Sequence, residues 1–199
     1  MTPEDKLREM GIALPEARSL HPAMAPGVIA GNLLYLSGAT PPDLDGVPWR
    51  GRVGDVYSVE QGYQAARLCA IQQLAQAKAV LGELSRIQRV VKVLGMVNCV
   101  PGFEQTPQVM HGFSELLLEV FGERGVHARS AVGLQALPSN VPIEVAPNFA
   151  IAERRRGKKP HGGPGSDQAA RASPGARPRR SSPRRAGARP RDRGGTHDP

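Results

Sequence analysis

An arginine and a glutamate stand fifteen residues apart, each inside an apolar run typical of a strand. Arg129 follows Gly125-Val-His-Ala, and Glu144 lies within Val141-Pro-Ile-Glu-Val. Burying an unpaired ion costs roughly several kcal/mol, so strand interiors seldom carry charge without a partner or a ligand. A guanidinium can hold a carboxylate through two parallel hydrogen bonds, and a carboxylate can move the protons of a water molecule. The pair indicates binding and hydrolysis of a small carboxylate-bearing molecule.

Backbone N–H groups at the turn Ser37-Gly38 are candidates for stabilising an oxyanion or amine beside such a substrate. The chemistry requires no metal or cofactor, and we expect none. The histidines at positions 21, 111, 127, 161 and 197 have no metal-ligand spacing.

Simpler interpretations compete with this one. Arg129 could form a structural ion pair with Glu144 or another acid, and Glu144 could be a solvent-facing strand residue. His127 is predicted to be a surface residue at the start of a strand. Cys69 and Cys99 are predicted to be reduced thiols in the core.

Helix-capping residues and the spacing of apolar residues predict the helices and strands that position these residues. Thr2-Pro3 begins a short helix, residues 28–37 form two strands turning at Gly31-Asn32, and Ser58-x-x-Gln61 is a capping box. Apolar spacing then predicts a helix to about residue 84, a strand over 90–100, and a helix from Thr106 to Gly122. Two further strands cover about 131–137 and 141–150.

The order of these elements predicts an α+β fold, a mixed sheet with two helices packed on one face. If residues 137–140 form a tight turn, the last two strands pair directly. Arg129 and Glu144 then share a face, roughly 13 Å apart at ~3.3 Å per residue. A shared site needs an extended arginine, another register, or residues from a neighbouring chain.

The second sheet face also needs a cover. Its apolar candidates are Tyr35, Val91, Val93 and Val97. Subunits that pack these faces together in an oligomer would supply it.

Residues 22–150 resemble the RidA/YjgF family of small imine deaminases. The resemblance is strongest in Ala128-Arg129-Ser130, Leu137-Pro138 and Ile143-Glu144-Val145. It implies a barrel-like homotrimer in which Arg129, Ser37 and Gly38 bind the substrate and Glu144 is catalytic.

Several positions depart from the family pattern. Met24, Ala131, Met110 and Ala146 stand where the deaminase branch has a tyrosine, a cysteine, an asparagine and a second glutamate. Carboxylate binding is therefore the firmer prediction, within a divergent branch.

The implied function is hydrolytic deamination of 2-imino or enamine acids to 2-keto acids and ammonia. The alternatives are a non-catalytic regulatory trimer that binds small carboxylates, and an RNA-binding or endoribonuclease-like protein.

Charge divides the chain at residue 152. Residues 153–199 hold 14 Lys+Arg and 4 Asp+Glu, whereas residues 1–152 hold 12 and 14, and the terminal segment contains no large apolar residue. We expect a RidA-like domain over 1–152 and a disordered basic tail over 153–199, able to bind polyanions without specificity or arising from an off-frame extension. With no signal peptide or membrane span, a soluble cytoplasmic location is expected.

Overall fold

The computed structural model describes residues 1–17, 21–43 and 46–152. The predicted tail over 153–199 lies outside the described residues. A five-stranded mixed sheet carries two long helices on one face. The helices are α1 (Pro3–Glu9), α2 (Val59–Leu81) and α3 (Thr106–Phe121); the strands are β1 (Gly27–Ala30), β2 (Leu33–Leu36), β3 (Ile87–Asn98), β4 (Ala128–Leu134) and β5 (Ile143–Ile151).

Local signals set the ends of the helices, and the sequence predicted most of them; α2 ends at Leu81, before the predicted end at about residue 84. Thr2 caps α1 in a capping box with Asp5, and Ser58 forms the same arrangement with Gln61 at the start of α2. Each box satisfies backbone N–H groups that have no partner within the helix. Gly122, with φ of 59°, ends α3 in a conformation that a side chain would disfavour.

The strands lie in the order β1-β2-β5-β3-β4. The hairpin of β1 and β2 turns at Gly31-Asn32 as predicted. β5 is antiparallel to both β2 and β3, and β4 runs parallel to β3 after the crossover through α3.

The predicted direct pairing of the last two strands is therefore wrong, because β3 separates β4 from β5. Residues 137–140 form no tight hairpin, since a short 3-10 turn there carries the chain past the end of β3 before β5 begins. The amide of Asn98 holds this crossing by donating to Asn140 Oδ1 and to the Val141 carbonyl. The central position of β5 buries the alternating residues Ile143, Val145, Phe149 and Ile151.

The core lies between the sheet and helices α2 and α3. Val93 and Val97 are fully buried in it, so their assignment to the uncovered face was wrong, whereas Tyr35 and Val91 are exposed. Bulges in β3 near residues 88 and 91 shift the alternation that counting along the sequence assumed.

The other sheet face exposes apolar side chains. Tyr35 is 44% exposed, Leu94 38% and Val132 39%. Leu94 lies opposite Ala146 and next to Ser130 of β4, while Val132 lies opposite Met96. An apolar surface of this kind on a sheet is typical of a protein–protein contact.

Helices α2 and α3 approach closely at Gly112, where a methyl group would overlap the carbonyl of Tyr63. Gly112→Ala should therefore lower the free energy of unfolding by about 1–3 kcal/mol, although alanine favours a helix elsewhere. Urea unfolding is the measurement, with the exposed neighbour change His111→Ala as control. Equal midpoints for Gly112→Ala and wild type would contradict the close approach.

Candidate functional site

Arg129, at the start of β4, faces α3. Its Nη1 donates to Ser114 Oγ at 3.0 Å and its Nη2 donates to the Pro107 carbonyl at 3.2 Å. Burial lowers the pKa of the guanidinium, which nevertheless stays charged at neutral pH. Within the described part of the chain no carboxylate pairs with Arg129. The structure thus replaces the ion-pair interpretation with contacts to neutral oxygens, which leave N–H groups of the guanidinium for a ligand.

A cavity of about 440 Å³ opens beside Arg129, lined by Ser114, Glu115, Leu118, Gly125, Val126 and His127. His127 is half-buried rather than a plain surface residue. Its Nε2 lies 3.0 Å from Ser114 Oγ, and its Nδ1 lies 2.6 Å from the Gly125 carbonyl. Burial lowers the pKa of His127, and the charge of Arg129 acts in the same direction.

Glu144 occupies a different cavity, of about 540 Å³, with Met24, Thr40, Gln72 and Gln76. Its carboxyl lies directly over Gly38, where a methyl group would overlap Oε1. Burial raises the pKa of Glu144 above its ordinary value. A carboxyl with a raised pKa can exchange a proton nearer neutral pH, as general acid–base chemistry requires.

Ser37 and Gly38 differ in what they offer a ligand. The Ser37 N–H donates to the Pro26 carbonyl and its hydroxyl donates to the Ala25 carbonyl at 2.7 Å, so both are occupied. The Gly38 N–H has no acceptor among the described residues. Of the two predicted backbone donors, Gly38 is the one that remains available beside Glu144.

Arg129 and Glu144 do not meet within one chain. Arg129 lies opposite Val93 and Glu144 opposite Met96 on the intervening strand β3. Residues three apart on a regular strand point to opposite faces, so the predicted common face is wrong. The error follows from the assumed hairpin, because direct pairing of the last two strands would have put both side chains on the same face.

Comparison with known proteins shows which family the chain belongs to. The profile described as "YjgF/chorismate mutase-like, putative endoribonuclease" matches residues 4–146. This chain belongs to the YjgF/RidA family. Protein TCP17 of Trypanosoma cruzi is 41% identical over 140 residues, which cover 70% of this chain and 88% of that protein.

Two solved structures are similar to this YjgF/RidA chain over most of their length. Atu1372 of Agrobacterium tumefaciens, whose function is described as unknown, is 41% identical with a TM-score of 0.68, covering 75% of this chain and 92% of its own. A protein of Shewanella oneidensis described as a putative endoribonuclease is 34% identical with a TM-score of 0.72, covering 76% and 100%.

Family membership confirms the resemblance seen in the sequence and the α+β fold with a mixed sheet. Over the described residues, no cluster of three or more metal-ligand side chains is present. No described helix is both long enough and apolar enough to span a membrane.

Proposed function

We propose that this YjgF/RidA protein hydrolyses 2-imino acids, and their enamine tautomers, to 2-keto acids and ammonia. The observation that carries the proposal is the half-buried guanidinium of Arg129, which borders a cavity and has no carboxylate partner among the described residues. A buried cation is costly to keep unpaired, so an anionic ligand is its natural complement.

The reaction needs a carboxylate anchor, a water and a group that moves protons. Arg129 binds the substrate carboxylate and so fixes the adjacent C=N carbon. Glu144 takes a proton from water as the water oxygen bonds to that carbon, and gives this proton to the nitrogen to form a carbinolamine. It then takes the hydroxyl proton as the C=O bond forms and passes it to the nitrogen, so that ammonia leaves. The free N–H of Gly38 can donate to the oxygen that gains charge in these steps.

A second subunit would bring the two side chains together. Since Arg129 and Glu144 lie on opposite faces of the sheet in one chain, we propose that Arg129 of one subunit meets Glu144 of its neighbour in a homotrimer. The apolar sheet face that contains Tyr35, Leu94 and Val132 supports such packing.

Assembly can be tested on its own. The protein should sediment as a trimer at micromolar concentration, and Leu94→Arg should dissociate it by placing a charge on the apolar sheet face. Val47→Arg, which changes a residue 67% exposed in a loop, is the matched control. A wild-type monomer in analytical ultracentrifugation would show that the sheet face is not a subunit contact.

Deamination is tested by ammonia release from 2-iminobutanoate generated in the assay. We expect wild-type protein to accelerate release above the buffer rate, and Leu94→Arg to lose the acceleration while Val47→Arg keeps it. No acceleration by a well-folded trimer would contradict the proposal.

Two other functions give different outcomes in the same experiments. A non-catalytic regulatory trimer would bind 2-ketobutyrate without releasing ammonia. An endoribonuclease, the description attached to the Shewanella protein and to the family profile, would cleave RNA while leaving 2-iminobutanoate at the buffer rate.

A further inference from the structure

The Arg129 cavity contains a hydroxyl and an imidazole that the imine reaction does not use. Ser114 projects from α3 and His127 precedes β4, and both line the cavity. Ser114 Oγ is 3.0 Å from His127 Nε2 and 3.0 Å from Arg129 Nη1. A nucleophile, a base and a group that orients the base are therefore joined in one chain, without a contribution from a neighbour.

The hydrogen bonds fix the position of each proton. The Gly125 carbonyl can only accept, so His127 Nδ1 must carry a hydrogen, which leaves Nε2 with a lone pair in the neutral ring. Arg129 can only donate, so Ser114 Oγ accepts from it and directs its own hydrogen at Nε2. The serine hydroxyl is thus polarised by a base on one side and a cation on the other.

We propose that Ser114 is a nucleophile activated by His127, and that the Arg129 cavity hydrolyses esters of small carboxylic acids. The arrangement is the one that serine acyl transfer requires: a hydroxyl within reach of an imidazole whose other nitrogen is held by an acceptor. The lining of Leu118 and Val126 suits a short acyl chain.

The reaction balances with water as the only co-reactant. His127 Nε2 takes the Ser114 proton as Oγ bonds to the ester carbon, and the carbonyl electron pair moves to its oxygen beside the Arg129 guanidinium. That pair returns as the bond to the alkoxide breaks, and the alkoxide leaves with the proton from Nε2. Water then repeats both steps on the acyl-serine, releasing the acid and restoring the hydroxyl.

The test uses a fluorophosphonate probe and p-nitrophenyl acetate on the full chain. We expect one phosphonyl group per chain, located at Ser114 by mass spectrometry, with at least a tenfold loss of labelling in Ser114→Ala and in His127→Asn. Ser85→Ala, which changes an exposed serine in the turn before β3, should label like wild type. Because His127 must be neutral, labelling should fall only at acidic pH.

Each outcome decides the proposal independently of the imine reaction. Melting curves show whether Ser114→Ala and His127→Asn remain folded. Folded variants that label and release nitrophenol at the wild-type rate would overturn the assignment, as would wild-type labelling at another residue or no labelling at all.

Discussion

Arg129→Ala is expected to weaken binding of 2-ketobutyrate strongly while leaving the protein folded. The change removes a charge-assisted contact to the ligand carboxylate, which should cost about 2–4 kcal/mol, or roughly 30- to 1,000-fold in affinity. The fold should survive because, among the described residues, the guanidinium hydrogen-bonds only to Ser114 and to the Pro107 carbonyl, and no carboxylate there is left without its partner. Calorimetric titration measures the affinity.

Two further variants sharpen that result. Arg129→Lys keeps the charge but loses the planar fork, so its affinity should fall between those of wild type and Arg129→Ala. Arg52→Ala removes an exposed arginine outside both cavities and should leave affinity unchanged. Equal affinity in Arg129→Ala and wild type would show that Arg129 is not the carboxylate anchor.

Glu144→Gln should reduce kcat for 2-iminobutanoate at least 100-fold while 2-ketobutyrate still binds, because the amide cannot take a proton from water. In wild type, the rate should rise with pH as Glu144 ionises, at a pH above the ordinary glutamate range since burial raises its pKa. Stopped assays of ammonia across a pH series measure both effects. A glutamine variant with wild-type kcat would exclude Glu144 as the proton-transfer group.

The raised pKa of Glu144 also predicts that Glu144→Gln stabilises the protein at neutral pH. A carboxyl whose pKa is higher in the folded state binds protons more tightly there, so it lowers stability as pH rises through its unfolded and then its folded pKa. Glu144→Gln should therefore melt higher than wild type at pH 7, and the difference should vanish below the unfolded pKa of about 4.3. The exposed Glu83→Gln is the control. A difference that persisted at low pH would assign the gain to packing.

The helices and their ends were predictable from the sequence because caps and apolar periodicity are local. The cap at Thr2, the capping box at Ser58 and the end of α3 at Gly122 are where the sequence placed them. The partners of β5 were not predictable from such signals. Alternation shows that a strand has a buried face, but it does not show which strand lies beside it.

The residues of the candidate site were likewise predictable from the sequence, whereas their positions relative to one another were not. Residue types and spacing selected Arg129 and Glu144, and the structure places each at a cavity. Their separation followed from the strand order, which no short motif encodes. The contact of Ser114 with His127 was missed because it joins α3 to the start of β4, although the two-residue spacing of His127 and Arg129 already placed them on one face.

The last strand of the described residues, β5, is the middle strand of the sheet. During synthesis from the N-terminus, β1 with β2, and β3 with β4, can each pair early, yet the two halves have no hydrogen bonds to each other until β5 has been made. Until then β2 and β3 both present open edges that can pair with another chain. A chain that ends before Ile143 would therefore form two separate strand pairs rather than a sheet that lacks an edge strand. A peptide of residues 143–151 would supply the strand that joins them.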